Sequence, residues 1–160
     1  MYTLYCLVFF ILSTLTCAQN LIRIDAPKPN DVIKSKEVFD IKYSVIGSQT
    51  LSPPVNSYYP SSLSASFSWS ERANQSNSHS FNVASSLKTN GYPGGSQNVQ
   101  HSESWKVPGC HFFSRYPPAS FDFSLTFTPV YADAQATGTP QDTIIIPVSV
   151  TVDNSTFPKC

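Results

Sequence analysis

Four stretches of the chain alternate apolar and polar residues with a period of two. Over Val38–Ile46, Phe39, Ile41, Tyr43 and Val45 are separated by Asp40, Lys42 and Ser44. Over Leu63–Trp69, Leu63, Ala65, Phe67 and Trp69 are separated by serines. Phe121, Phe123, Leu125 and Phe127 repeat the pattern over Ser120–Thr128, and Ile144, Ile146, Val148, Val150 and Val152 repeat it over Thr143–Val152. Successive side chains of an extended strand point to opposite faces, so each run offers one apolar and one wetter face. Antiparallel strands packed over a shared core have this pattern. Shorter candidates are Leu21–Asp25, Asp31–Ile33, Ser80–Ala84 and Trp105–Val107, the last stopped by Pro108-Gly109. No segment holds a helical period with caps. The expected fold is all-β, an immunoglobulin-like antiparallel β-sandwich of about seven strands, with a jelly roll or other barrel as the alternative.

The ends of the sequence add a compartment. Leu7–Leu12 is a short apolar run followed by Thr16-Cys17-Ala18, small residues at the −3 and −1 positions of a cleavage site. Such a run is too short to span a bilayer and reads as a secretory signal peptide, residues 1–18. Residues 19–160 then form one β-sandwich domain, secreted and extracellular. Thr156-Phe157-Pro158-Lys159-Cys160 is not hydrophobic, so neither a membrane span nor a lipid anchor signal is expected.

Export changes the reading of the cysteines and asparagines. Cys6 and Cys17 fall in the leader, which leaves Cys110 and Cys160 as an even pair in an oxidising compartment, most simply one disulfide. Free thiols or an intermolecular bridge are the alternatives. Closing a loop of about fifty residues stabilises by roughly 4 kcal/mol in the chain-entropy model. Asn74-Gln75-Ser76 and Asn154-Ser155-Thr156 are N-glycosylation acceptor triplets, so Asn74 and Asn154 are the expected glycan sites.

Composition then removes function classes. Ten basic residues balance ten acidic ones in 160 residues, with no basic stripe or polybasic patch. Neither nucleic acid nor anionic lipid is an expected partner. Serine is so abundant that its proximity to a histidine carries no signal, no Gly-x-Ser-x-Gly elbow is present, and His79, His101 and His111 fall near polar loops or strand edges. His101 and Glu103 would share one face of a strand, short of the three or four converging ligands a metal needs. Asp40 and Asp122 belong to the polar faces of their strands, and Glu71 and Glu103 are expected in loops. No enzyme, metal or cofactor is expected.

What remains is aromatic residues outside clean alternation. Tyr58, Tyr59, Tyr92, Phe112, Phe113 and Tyr116 are candidate binding-loop residues, because exposed rings stack on sugars or anchor a protein partner. The same rings could instead cap the ends of a sandwich. The expected function is non-catalytic binding by a monomer of a cell-wall glycan or an extracellular protein. Two alternatives are a secreted effector or inhibitor acting on another organism, and an extracellular lipid carrier lined by the Phe-rich run 121–127.

The opening of the mature chain, Ile22-Arg23-Ile24-Asp25-Ala26-Pro27 and then Phe39-Asp40-Ile41-Lys42-Tyr43-Ser44-Val45, resembles the first two strands of a fungal Ig-like domain. That domain opens Ser/Thr-rich, often GPI-anchored secreted proteins linked to yeast cell-wall glucan assembly. The resemblance covers about thirty residues and implies the sandwich fold and a fungal cell-surface setting. Asn30-Asp31 stands where the family has a glycine, and Tyr43 where it has tryptophan, and no functional residue carries over.

Overall fold

The computed structural model describes residues 20–47, 50, 59–89, 97–132 and 140–153. Leader residues 1–18, Asn154, Cys160, Tyr58 and Tyr92 lie outside them. The strands are β1 (Ile22–Ala26), β2 (Val32–Lys34), β3 (Val38–Val45), β4 (Ser62–Glu71), β5 (Asn74–Lys88), β6 (Val99–Lys106), β7 (Phe121–Val130) and β8 (Ile144–Thr151). A single short helix, α1 (Cys110–Arg115), lies between β6 and β7. Two sheets form, one ordered β1-β3-β6 and the other β2-β8-β7-β4-β5.

All four strongly alternating runs are strands, and burial follows their alternation. In β4, Leu63, Ala65, Phe67 and Trp69 are buried and the intervening serines are half-buried. In β7, Phe123, Leu125 and Phe127 face inward. Ile41, Tyr43 and Val45 of β3 and Ile146 and Val148 of β8 complete the core. Leu63, Ala65, Phe67, Leu125 and Phe127 have no solvent exposure. Each of these leucine and phenylalanine side chains contributes about 1.5–3 kcal/mol by leaving water.

The N-terminal segment serves both sheets. β1 runs antiparallel to β3, after which the chain turns through a cis Ala26–Pro27 bond and Lys28–Asp31 into the second sheet. There β2 runs parallel to β8. Asn30 takes a left-handed φ of 68°, a conformation asparagine adopts more readily than most residues. Its N–H donates to the Pro147 carbonyl (2.8 Å), which sets the turn against β8.

The free edge of β1 is closed by one side chain. The Ile22 N–H donates to Gln141 Oε1 (2.7 Å), and Gln141 Nε2 donates to the Ile22 carbonyl (2.8 Å), both buried. The Gln141 N–H in turn donates to the Tyr131 hydroxyl (2.8 Å). An amide side chain thus supplies the donor and the acceptor that a neighbouring strand would otherwise supply.

Three elements differ from the pattern-based expectation, β6 among them, which spans Val99–Lys106 where only Trp105–Val107 is expected. The polar stretch from Asn74 to Ser80 is strand, extending the short Ser80–Ala84 candidate in both directions to all of β5. Every residue of that stretch is exposed, so little burial is recorded in its pattern. α1 has six residues, no acidic residue in its first turn and no side-chain cap. One and a half turns are too few to show a period. Glu71 and Glu103, expected in loops, lie in β4 and β6.

Candidate functional site

The sequence-predicted aromatics of α1 are packed into one end of the sandwich. Phe113 is buried against Phe123 (ring centroids 5.6 Å apart), and Phe112 is half-buried against Trp69 (4.9 Å, edge to face). Tyr116 packs on Trp69 (5.0 Å), on His79 (6.0 Å) and on the edge of Phe121 (5.4 Å). The spacings fall in the range of favourable offset and edge-to-face ring pairs. Tyr59 is also buried, and its hydroxyl donates to the Ile46 carbonyl (2.6 Å). These rings close the sandwich. Phe112 and Tyr116 keep part of their surface in solvent beside His79 and Phe81.

The histidines do not gather. His101 stacks on Tyr43 (5.2 Å, 22° between planes), with its Nε2 buried and unpartnered among the described residues. Burial, reinforced by the charge of Lys88, holds its pKa below the usual 6.5. Burial and then the charge of Glu103 push Tyr43 up to about 12. Its hydroxyl donates to the Lys88 carbonyl (2.8 Å). Among the described residues, no three His, Cys, Asp or Glu side chains come together as a metal site. Asp25 is the other perturbed acid: burial works against its ionisation, but hydrogen bonds from Ser44 and Arg23 outweigh that and lower its pKa.

His101 gives a pH prediction with a definite sign. A histidine whose folded pKa lies below its unfolded value binds fewer protons folded than unfolded, so its contribution is intact above about pH 6.5 and shrinks as the pH falls below it. Thermal melts should show stability declining on acidification through that window, and the decline should be shallower in His101→Phe. An identical pH slope in the variant would remove His101 from the account.

The concave surface lies elsewhere, on the outer face of the larger sheet. A groove of about 530 Å³ is lined by Asn30, Arg72, Pro118, Phe121, Asp122, Phe123, Pro147, Val148, Ser149 and Val150. A recess of about 210 Å³ adjoins it, sharing Asp122, Phe123 and Pro147 and adding Ser68, Trp69, Ser70, Ser78 and Ser124. Each wall has a local cause. Arg72 sits in the β4–β5 turn, where its N–H donates to the Ser120 carbonyl (2.9 Å). Its Nε donates to Asp122 Oδ1 (2.7 Å) and its Nη1 to the Ala119 carbonyl (3.2 Å). Period-two alternation turns Asp122 and Ser124 of β7, and Ser68 and Ser70 of β4, to the same outer face. The left-handed Asn30 forms the opposite wall.

Arg72 and Asp122 are each more than half exposed, so their ion pair contributes little to stability. It does hold a planar guanidinium and a carboxylate side by side, with spare donors and acceptors facing the groove. Pro118 and Pro147 add apolar surface. Phe121, whose side chain lies on the opposite face of β7 from Asp122, packs its ring on Tyr116, one of the sequence-predicted residues. Of the groove's polar residues, the sequence marks Asp122, as a solvated strand residue. Arg72 and Asn30 sit in turns with no motif, so the polar half of the alternation was the only available signal.

Asn74 is exposed at the start of β5, and its Oδ1 accepts from the Ser76 hydroxyl (2.6 Å) and the Ser76 N–H (3.3 Å). Among the described residues no helix is long and apolar enough to cross a membrane. No known family model matches the chain, and no curated protein matches it.

Proposed function

We propose that this is a secreted, non-catalytic binding domain that holds a cell-wall glycan in the groove between Asn30 and Arg72. One observation carries the reading: the groove combines an exposed Arg72–Asp122 pair and Asn30 with the apolar surface of Pro118 and Pro147. A sugar ring presents hydroxyls at its rim and C–H groups on its faces, and this arrangement meets both. Glycoside hydrolysis ordinarily takes two facing carboxylates, and the groove and its recess are lined by one, Asp122. The Phe-rich run proposed for a lipid carrier is occupied in packing: Phe123 and Phe127 are buried, with Phe123 against Phe67 and Phe113.

The finer structural readings belong to the same proposal. The pairing of β1-β3-β6 opposite β2-β8-β7-β4-β5, with β2 parallel to β8, supports an immunoglobulin-like topology. Cys110 is buried at the start of α1, a protected position for a disulfide to Cys160. The exposed hairpin position of Asn74 supports its use as a glycan acceptor.

The test is retention of the secreted chain by insoluble cell-wall polysaccharides. Losing hydrogen bonds from a charged group typically costs about 1.5–3 kcal/mol, so Asp122→Ala and Arg72→Ala should each weaken retention about tenfold or more. Tyr59→Phe, remote from the groove, should bind as the natural chain does. Failure of the natural chain to bind any such polysaccharide, or undiminished binding by both groove variants, would overturn the proposal.

A further inference from the structure

Edge strands present a row of unsatisfied N–H and C=O groups, and proteins guard them with lysines, prolines, inward charges, bulges or covering side chains. The edges described here are unequally guarded. β2 is only three residues long, β1 has five residues with Gln141 covering Ile22 and a bulge between Ile24 and Ala26, and β6 carries Glu103 and Lys106 along its length. β5 is different. It has fifteen residues, and β4 is the only strand paired with it among the described residues. From Asn74 to Leu87 it contains no proline and no Asp, Glu, Lys or Arg. Bulges interrupt its pairing with β4 at both ends and leave one regular stretch, Ser78–Asn82 opposite Ser66–Ser70.

We propose that this stretch is a dimer interface, pairing β5 antiparallel with β5 of a second copy about a two-fold axis at Ser80. An uncharged edge has no means of selecting a charged partner and no repulsion from itself, which favours self-pairing. The side-chain order is also self-complementary. Centred on Ser80, the pairing sets Ser78 against the partner's Asn82 on the outer face, hydroxyl against amide. On the inner face it sets His79 against the partner's Phe81. His79 is exposed and Phe81 only half-buried, yet both already extend the core's ring row, at 5.6 Å from Trp69 and from Phe67 respectively. Pairing continues that row across the axis and covers rings that the single chain leaves wet. A closed two-fold contact of this kind stops at two copies.

Antiparallel strands of one sheet keep their faces, so the two grooves would open on the same side. A polymeric ligand could then engage both, with the gain in avidity that linked sites give. The dimer does not depend on that use and is measured without any glycan.

Sedimentation equilibrium of the full secreted chain, treated with N-glycosidase, should give twice the chain mass at high concentration and dissociate on dilution. Ser80→Lys and Ser80→Glu place like charges face to face on the axis and should each give monomer. An equimolar mixture of the two should give dimer again, because lysine then meets glutamate. A natural chain that stays monomeric at the highest concentration would overturn the proposal. So would persistence of the dimer in both single variants, or failure of the mixture to restore it. Loss of the dimer with polysaccharide retention intact would separate this proposal from the one on the groove.

Discussion

Truncating Phe67 to alanine is expected to lower unfolding free energy by about 4 kcal/mol, enough to leave a marginally stable domain partly unfolded. Phe67 has no solvent exposure, and its ring packs against Trp69, Phe81, Trp105, Phe112 and Phe123 at centroid distances of 5.2–6.2 Å. Those partners come from β4 itself, β5, β6, α1 and β7, so the void would lie where both sheets and the helix meet. Partial collapse of the surrounding rings sets where in the usual range of 3–5 kcal/mol the loss falls. Chemical denaturation monitored by tryptophan fluorescence would measure it, since Trp69 and Trp105 both border the void. A loss below about 1 kcal/mol would mean that this end of the core is loosely packed. Phe67→Leu, which keeps most of the volume, should lose less than half as much.

Replacing Gln141 with leucine should be nearly as damaging although it nearly preserves volume and makes the buried side chain apolar. Leucine leaves the Ile22 N–H and C=O without the partners that Gln141 gives them, inside a buried site. Each orphaned buried group costs about 1–3 kcal/mol, so the pair is expected to cost about 2–6 kcal/mol. Gln141→Glu tests the origin of the loss. It keeps the acceptor for the Ile22 N–H but puts a carboxylate against the Ile22 carbonyl, and it should be destabilising at neutral pH and recover as the acid is protonated. Hydrogen exchange would localise the effect: the amides of β1 should lose protection before those of β4 or β7. A leucine variant as stable as the natural chain would show that water takes over both bonds.

How much of this was legible beforehand follows from what each residue has to satisfy. The strands β3, β4, β7 and β8 alternate because each has one face on the core, and the inward positions read from the sequence, such as Phe67, Leu125 and Ile146, are buried. In β5 the alternation is legible only over Ser80–Ala84, because the residues from Asn74 to Ser80 are all exposed. α1 was invisible because its residues answer to tertiary packing: Phe113 fills the core and Phe112 covers Trp69, at adjacent positions that no simple period joins. The ring-rich stretch 111–116 was noticed for its aromatic content, and both roles considered for it involve the same chemistry. Only the structure places Phe113 inside and leaves part of Tyr116 at the surface. The groove was harder still. Its Asn30, Arg72 and Asp122 are separated by about forty and fifty positions, and only the antiparallel register and the crossing of the N-terminal segment bring them together.

That crossing has a mechanical consequence. β2 and β8 run parallel, joined by Ser149 N–H to Asp31 O (2.9 Å) and Ser35 N–H to Thr151 O (3.0 Å), with Asn30 N–H to Pro147 O (2.8 Å) beside them. A pull on the chain before β2 against a pull on the chain after β8 drags these strands in opposite directions along their own axes. The load then falls across the bonds at once, in shear, where an antiparallel terminal pair would unzip one bond at a time. A domain strung between two attachments would resist tension best along the line joining its own ends.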